Sequence, residues 1–413
     1  MGESTFVNQS NLRGASSQLR NVRQGIDFVL LGVTVALTLF GLLMVYSAGP
    51  KFAVFAEKPP DFFLIRQLLW AGVGMIAVGI TAFFDYHFYR KLSVWMMLAT
   101  IGSLLVVMLL GESTLGSTRS ILGSSVRPSE LAKLVTIIYV SVWLNSKREV
   151  LNSISLGLLP LGVILGITAI LILAQPDLSA AITIMIIGGL LFFLAGGAWR
   201  QIVLVVAVAV LVGWLAINLY PTGRTRVTDY IAGLQNPLNA SYHVRRSLEA
   251  IINGGVFGVG IGHSSTKFTG LPVAHTDSIF AIVTEETGLL GSGLLLIAYL
   301  VILWRGLSIA RKAPDLLGQL LAAGISIWIT LEAFINMAVM VNLLPHAGNA
   351  LPFISYGGSS LVVTLAGVGI LLNIGRLSEK NTPQGGNTFA SVVDLRWRNG
   401  WRRVSRPGRS PRS

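Results

Sequence analysis

The sequence contains no cysteine, which excludes disulfides, thiol catalysis, thiolate metal sites and cysteine-linked lipid anchors. Charged residues are also scarce, at 12% of the chain, whereas apolar residues make up 53%. The apolar residues come in blocks of about 20, the length of a helix that spans a bilayer. A chain of 413 residues would suffice for about two or three soluble domains, but this pattern predicts a polytopic membrane protein instead.

We predict an all-α fold in which about ten transmembrane helices form one domain, residues 26–376. The predicted spans are 26–46, 64–82, 92–110, 130–146, 156–174, 179–195, 201–220, 277–304, 317–342 and 358–375. The loop between the seventh and eighth spans, 221–276, is too long for a simple connector, and loops of this size are often functional. Two stretches within it, DYIAGLQNP and SYHVRRSLEAIIN, suggest short interfacial helices.

Both ends of the chain are polar. Residues 1–25 hold no apolar run, so we expect an N-terminal tail without a cleaved signal peptide. Residues 377–413 are rich in Arg, Gly, Ser and Pro, which predicts a disordered tail. Its RWRNGWRR section suits an anionic membrane surface, although the tail could also serve only to fix the topology.

Basic residues predict the orientation. If the N-terminus is cytoplasmic, every short inside loop holds Arg or Lys, as at Arg90, Arg148 and Arg200, and nine more follow from Arg376 onward. Lys and Arg accumulate on the cytoplasmic side of membrane proteins, so this arrangement places both termini inside and the loop 221–276 outside.

Asp277 stands where the long loop meets the eighth span. Its position fits a helix N-cap, where a carboxylate accepts backbone N–H bonds and meets the positive end of the helix dipole. The same position fits a general base at the outer membrane surface. The local sequence leaves both interpretations open.

Two further groups of ionisable residues need a reason to lie near the membrane. Glu130 and Lys133 are three residues apart at the start of the fourth span, so they share a helix face and can pair. They form either a structural ion pair or a pair in which Lys133 orients or charges a site. Glu285, Glu286, Glu332 and Asn336 suggest a buried polar network, which we interpret as structural.

A set of basic residues lies outside, against the inside bias. Its members are Arg119, Arg127, Arg224, Arg226, Arg245, Arg246 and Lys267. Arginine binds phosphate through two parallel hydrogen bonds and lysine acts as a point charge, so this set suits a lipid-linked pyrophosphate. The alternative is a solvated surface or contact with lipid headgroups.

The stretch 344–360 interrupts the last span with prolines and paired glycines and includes Ser359. Such broken backbone at membrane depth occurs where it is buried in protein or lines a cavity. It is therefore either simple re-entrant packing or part of a binding site. His275 has no HxH or HExxH partner, so a histidine metal site is not predicted.

Taken together, five stretches are typical of one family. They read FGLLMVYSA at 40–48, RPSELAKL at 127–134, QPDLSAA at 175–181, the glycine-rich stretch that leads through LPVAHTDS at 254–291, and LLPHAGNALPFISYGGSS at 343–360. With these motifs the sequence resembles the SEDS family (shape, elongation, division and sporulation), the peptidoglycan polymerases represented by FtsW, RodA and SpoVE. PPDFFLIRQLLWAG at 59–72 favours the FtsW-type division branch.

The resemblance implies a ten-helix fold in the cytoplasmic membrane and polymerisation of lipid II on its outer face. It also implies a class B penicillin-binding protein as transpeptidase partner and membrane lipids as surroundings, with no nucleic-acid partner. Asp277 corresponds to the essential aspartate of the family, which we interpret as general base of an inverting glycosyltransferase. The family motifs also place Glu130, Lys133 and Arg119 at the substrate.

Further contacts with the substrate are expected from other residues around the outer loop. These are Arg245, Arg246, Lys267, His275 and Ser359. The arginines would stabilise the departing pyrophosphate through preorganised charge. A divalent cation, Mg²⁺ or Mn²⁺, could assist there, although the sequence shows no dedicated cage.

Some positions depart from the family pattern. Ser120 stands in place of a tryptophan, Arg127 in place of a glutamine, and Ser278 in place of a phenylalanine, while His243 replaces a glutamine after Tyr242. These departures cluster around the proposed site. Two other functions therefore stay open, a flippase for a lipid-linked precursor and an inactive scaffold for the transpeptidase. The gathering of unusual charges at one face favours surface chemistry over translocation.

Overall fold

The computed structural model describes residues 25–381 except 56, 111, 115–116, 121–126, 152, 176, 220, 273 and 347. This part of the chain holds twelve α-helices. They are α1 Phe28–Phe55, α2 Phe62–Phe83, α3 Tyr89–Leu110, α4 Pro128–Ser146, α5 Leu159–Leu173, α6 Leu178–Leu194, α7 Trp199–Leu219, α8 Pro221–Gln235, α9 Tyr242–Gly254, α10 Ile279–Lys312, α11 Leu316–Met340 and α12 Gly358–Asn381. Most of residues 1–25 and 377–413 lie outside the described residues, so the two predicted tails stay predictions.

Each of the ten predicted spans overlaps one of these helices, and α8 and α9 lie within the predicted loop 221–276. Seven helices are long and apolar enough to cross a membrane, namely α1, α2, α3, α5, α10, α11 and α12. The helical membrane fold is therefore confirmed, whereas a count of ten crossings stays a prediction. One element was not expected: β1 (Glu112–Thr114) and β2 (Ser117–Ser120) form a short antiparallel hairpin between α3 and α4.

Local chemistry explains the helix ends. Pro128 begins α4, where its fixed φ suits the first helical turn and its missing N–H is not needed. Asp177 caps α6 by accepting from Ala180 N, just after the short connection from α5. Asp315 caps α11 in the same way, accepting from Gly318 N at 2.9 Å.

The helices differ in how much protein surrounds them. In α11 and α12, 78% and 72% of the central residues are buried, against 22% in α2 and 28% in α3. The first two therefore form the centre of the domain, whereas most of the α2 and α3 surface is open to lipid. Helix α4 is also largely buried, including Glu130 and Lys133. Its charges face protein instead of lipid, which is how a membrane domain tolerates them.

Candidate active site

Asp277 lies at a seam between the end of the long loop, α11 and the segment that precedes α12. Asn336 of α11 fastens this seam, because its Nδ2 donates to Asp277 O at 2.9 Å and to Asn349 O at 2.6 Å. Ser355 Oγ donates to Thr276 O at 2.7 Å. The backbone around Asp277 is thus fixed by segments that come from distant parts of the chain.

Buried polar atoms without a hydrogen-bond partner among the described residues collect at this seam. They are Asp277 Oδ1, His275 Nδ1, Asn336 Oδ1 and Asn349 Nδ2. Buried polar groups are nearly always paired in proteins, so an unpaired one calls for an explanation such as a catalytic role or a missing ligand. Four of them in hydrogen-bonded or adjacent residues mark a place where a polar ligand would complete the bonding.

The N-cap interpretation of Asp277 finds no support. Helix α10 begins at Ile279 and its N-cap position is Ser278, where no side-chain capping bond is made within the described chain. Asp277 Oδ1 makes no hydrogen bond to the described residues either. The carboxylate of Asp277 therefore has no structural task there that would explain it.

His275 is enclosed by aromatic rings. The ring centroids of Phe63, Phe52 and Tyr356 lie 4.5, 4.6 and 5.6 Å from that of His275. Burial lowers the pKa of His275 to about 4. The imidazole is therefore neutral at physiological pH and adds no positive charge to the site. Its predicted contact with a substrate stays a prediction.

The departures at His243 and Ser278 touch each other, with His243 Nδ1 lying 3.0 Å from Ser278 Oγ. Ser278 Oγ also lies 3.1 Å from Pro272 O. A carbonyl can only accept, so the single hydroxyl proton goes to Pro272 and His243 donates from Nδ1. The ring of His243 also stacks on His346, with centroids 4.4 Å apart.

A cavity of about 210 Å³ opens beside His243 and His346. It is lined by Arg226, Asp229, Tyr230, Ser241, His243, Val244, Asn342 and His346. Burial and the nearby Arg226 lower the pKa of His243, and the charge of Asp277 opposes them in part. His243 is thus a neutral hydrogen-bond donor between α9 and the start of α10.

Lys133 pairs with Glu130 at 2.9 Å, the partner that the sequence predicts. It also forms an ion pair with Glu332 of α11, and its ammonium lies 5.9 Å from the centre of the Trp328 ring. The side chains of Lys133 and Glu332 are each 4% exposed. Two carboxylates thus converge on one ammonium in the middle of the bundle. A further role at the substrate stays a prediction.

Lys267, predicted to face a substrate, points into the protein. Its Nζ lies 2.9 Å from Glu286 Oε1, 2.9 Å from Ser47 Oγ and 2.8 Å from Gly262 O. The side chains of Lys267 and Glu286 are 4% and 0% exposed. These contacts favour a structural role that joins the loop, α1 and α10, and the predicted contact with a substrate stays untested.

Glu285 forms a separate centre next to this pair. Its carboxylate accepts hydrogen bonds from the side chains of Ser264, Ser265 and Thr266 and from the backbone N–H groups of Ser265 and Thr266. The sequence grouped Glu285, Glu286, Glu332 and Asn336 into one polar network. The structure instead places them in three groups. Glu285 and Glu286 bond to the long loop, Glu332 pairs with Lys133, and Asn336 bonds to the backbone of Asp277.

Comparison with known proteins identifies the family of this fold. Residues 28–380 match the model of the family of cell cycle proteins FtsW, RodA and SpoVE. The chain belongs to this family. The resemblance read from the sequence motifs is therefore confirmed.

Named relatives in the FtsW/RodA/SpoVE family align along nearly their whole length. A probable peptidoglycan glycosyltransferase FtsW from Geobacter sp. (strain M18) is 38% identical over 356 residues, which cover 85% of this chain and 97% of that protein. Stage V sporulation protein E of Bacillus subtilis (strain 168) is 37% identical over 358 residues, covering 85% and 97%.

Solved structures share the fold. A chain from a structure described as "Structural coordination of polymerization and crosslinking by a peptidoglycan synthase complex" has a TM-score of 0.70 and 25% identity, covering 87% of this chain and all of that one. The rod shape determining protein RodA of Thermus thermophilus has a TM-score of 0.64 and 23% identity, covering 86% and 98%.

The other predicted site residues lie on α12, α9 and β2. Ser359 Oγ accepts from Arg127 N at 2.9 Å and so joins the starts of α12 and α4. Arg245 is exposed on α9 and donates to a loop carbonyl, while Arg246 pairs with Glu249 at 2.6 Å. Arg119 belongs to β2, but its side chain lies outside what the structure describes. Their contacts with a substrate stay predictions.

Two residues that support the site were not predicted from the sequence to belong to it. Asn336 fastens the seam at Asp277, although it had been assigned to a structural network. Gln67 of α2 is 1% exposed; its Nε2 donates to Ser355 O and its Oε1 accepts from Gly357 N, both at 3.2 Å. A buried amide within an apolar span is itself a signal that an irregular backbone segment lies opposite.

No group of three or more metal-ligating side chains occurs within the described residues. The residues present thus do not form a protein cage for the divalent cation considered from the sequence. The divalent cation itself stays a prediction.

Proposed function

We propose that this protein is a peptidoglycan glycosyltransferase that polymerises lipid II on the outer face of the cytoplasmic membrane, with Asp277 as general base. The observation that carries the proposal is the cluster of unpaired buried polar atoms around Asp277 Oδ1. Membership of the FtsW/RodA/SpoVE family and the name of the Geobacter relative support the reaction class. The proposed orientation places Asp277 at the outer end of α10.

The proposed chemistry follows from the position of Asp277. Its backbone is fixed by Asn336, and its Oδ1 has no hydrogen-bond partner among the described residues. Asp277 Oδ1 accepts the proton of the acceptor hydroxyl as that oxygen attacks the anomeric carbon of the donor sugar from the opposite side. The bond to the lipid pyrophosphate breaks with its electron pair, and the configuration inverts. Because Asn336 ties the backbone of Asp277 to that of Asn349, the base needs little reorganisation during the reaction.

Positive charge near the leaving group would come from two arginines of α9. Arg245 and Arg246 lie on the exposed side of α9, where their guanidinium groups can meet phosphate oxygens at the membrane surface. His243 of this helix contacts Ser278, the residue after Asp277. We assign no step to a divalent cation, since the described part of the chain holds no group of three or more side chains that could bind one.

The partner in this proposal is a class B penicillin-binding protein, which would cross-link the emerging strand. The structural neighbour described as a peptidoglycan synthase complex that couples polymerization and crosslinking supports it.

The proposal is tested with purified protein in nanodiscs, incubated with lipid II with and without a candidate transpeptidase. Asp277→Asn should lower the polymerisation rate about 10²–10⁴-fold, the usual contribution of a general base. Asp61→Asn is the matched control, because Asp61 is exposed just before α2 and makes no capping hydrogen bond. Its rate should equal that of the wild type.

Two results would refute the assignment. Full polymerisation by Asp277→Asn would show that another group is the base. Movement of fluorescent lipid II across vesicles by the wild type, without any glycan product, would instead identify a flippase.

A further inference from the structure

The glycine stretch after α9 is apolar and exposed at the same time. Residues 254–262 read GGVFGVGIG and contain no polar side chain. Phe257 is 80% exposed, and Val256, Val259 and Ile261 are 52%, 44% and 49% exposed. Ile252, at the end of α9, adds a side chain that is 76% exposed. A contiguous apolar surface of this kind marks contact with a partner or a membrane.

The loop is fixed to α10 by four backbone hydrogen bonds. The N–H groups of Val259 and Gly260 donate to the carbonyls of Glu285 and Glu286 at 3.0 and 3.1 Å. In return, the N–H groups of residues 289 and 290 donate to the carbonyls of residues 255 and 256 at 3.0 and 3.2 Å. These bonds satisfy the groups freed where Gly288 interrupts α10 at a φ of 71°.

The length of α10 sets the depth of this contact. Gly288 divides the 34 residues of α10, and the uninterrupted part from residue 289 to Lys312 measures about 36 Å, slightly more than the hydrocarbon thickness of about 30 Å. Arg305 is the first basic residue from the outer end, so the hydrocarbon segment runs back from there to about the break at Gly288. The loop therefore lies beside the outer edge of the hydrocarbon region.

The exposed surface of α10 continues the apolar loop surface. Leu289, Leu290 and Leu294 are 55%, 59% and 69% exposed, and the exposed stripe extends down the helix through Ile297. On a transmembrane helix such a stripe faces lipid. The loop residues bonded to Leu289 and Leu290 extend this surface upward without a charged residue between them.

We propose that residues 252–262 form a wedge that inserts into the outer leaflet beside α10. This inference rests on the proposed membrane orientation and not on the catalytic role of Asp277. Part of the backbone is paired as well, since Gly258 N donates to Gly254 O at 2.8 Å and His263 N donates to Gly260 O at 3.1 Å, and the groups left over can bond water at the headgroup level. The exposed polar residues Asn253 and His263 stand at the ends of the apolar stretch and would mark the headgroup level.

Single cysteines test the wedge, because the chain has none of its own. Phe257→Cys and Ile261→Cys are labelled with an environment-sensitive fluorophore and placed in nanodiscs that contain lipids with a nitroxide high on the acyl chain. Leu294→Cys serves as the lipid-facing reference. Lys58→Cys, exposed in the loop between α1 and α2, serves as the aqueous reference. Unfolding curves of the labelled proteins confirm that each is folded.

The wedge predicts that labels at 257 and 261 are quenched as strongly as the label at 294 and several times more than the label at 58. Quenching at 257 and 261 by an aqueous reagent alone would overturn it. Protection of these labels only after addition of a class B transpeptidase would also overturn it and identify a protein dock. Since no turnover is needed, failure here is distinct from failure of the glycosyltransferase proposal. A water-exposed label at 294 would overturn the placement of α10 and the wedge with it.

Discussion

Replacing Lys267 by methionine tests the interpretation of the buried pair between the loop and α10. The change removes an ammonium whose partners are Glu286 Oε1, Ser47 Oγ and Gly262 O, all within 2.9 Å. Glu286 is 0% exposed and would lose its counterion. Removing one partner of a buried pair costs about 3–5 kcal/mol, so we expect the free energy of unfolding to fall by that amount.

The assay is denaturant unfolding in nanodiscs, followed by the fluorescence of the nine tryptophans. Lys58→Met is the control, because this lysine is exposed in the loop between α1 and α2 and the same change there should alter stability by less than about 0.5 kcal/mol. The double variant Lys267→Met, Glu286→Leu removes both charges and should recover most of the lost stability, since an apolar pair of similar volume replaces a buried ion pair at little cost.

A different outcome would refute this reasoning. If Lys267→Met unfolds like the wild type but raises the KM for lipid II, the lysine faces the substrate, as the sequence alone had predicted. If the double variant is less stable than the single one, the pair is not an isolated unit and the proposed compensation fails.

Two further predictions concern the loop and the enclosed imidazole. Gly258→Ala should destabilise the protein by about 3 kcal/mol or more, because φ is +80° and a Cβ would overlap the Glu286 carbonyl, whereas Gly262→Ala, at φ +86° in open space, should cost only about 1 kcal/mol of strain. Unfolding curves of the two variants check this, and equal losses would contradict the close backbone contact. Burial lowers the pKa of His275 to about 4, so the unfolded chain binds a proton near pH 6.5 that the folded chain does not. Stability should therefore fall by up to about 3 kcal/mol as the pH decreases from 6.5 to 4, and His275→Phe should reduce this dependence; an unchanged slope would show that other groups cause it.

The sequence predicted those structural features that depend on residues close together along the chain. Blocks of apolar residues located the helices, and the spacing of Glu130 and Lys133 predicted their pairing at 2.9 Å. Each of these signals acts within a few residues, so no knowledge of tertiary packing was needed.

Contacts between distant residues were not predictable in the same way. Lys133 also pairs with Glu332, 199 residues away, and Lys267 turns inward to Glu286 instead of outward to the solvent. A basic residue in an outer loop looks the same in the sequence whether it faces water or a buried carboxylate. The four unpaired polar atoms at Asp277 likewise become visible only when α11 and the segment before α12 are brought to the loop.

The break at Gly288 has a mechanical consequence for Asp277. The helical segment from Ile279 to Thr287 is a short rod, with the carboxylate at its outer end and a flexible glycine at its base. From Asp277 to Gly288 the rod measures roughly 16 Å, so a tilt of about 4° would displace the carboxylate by about 1 Å. A displacement of about 1 Å can cost a factor of about 10² in rate. Under the proposed role of Asp277 as general base, the backbone bonds from Val259 and Gly260 keep this segment from tilting, and weakening them would slow turnover without any change at the reacting atoms.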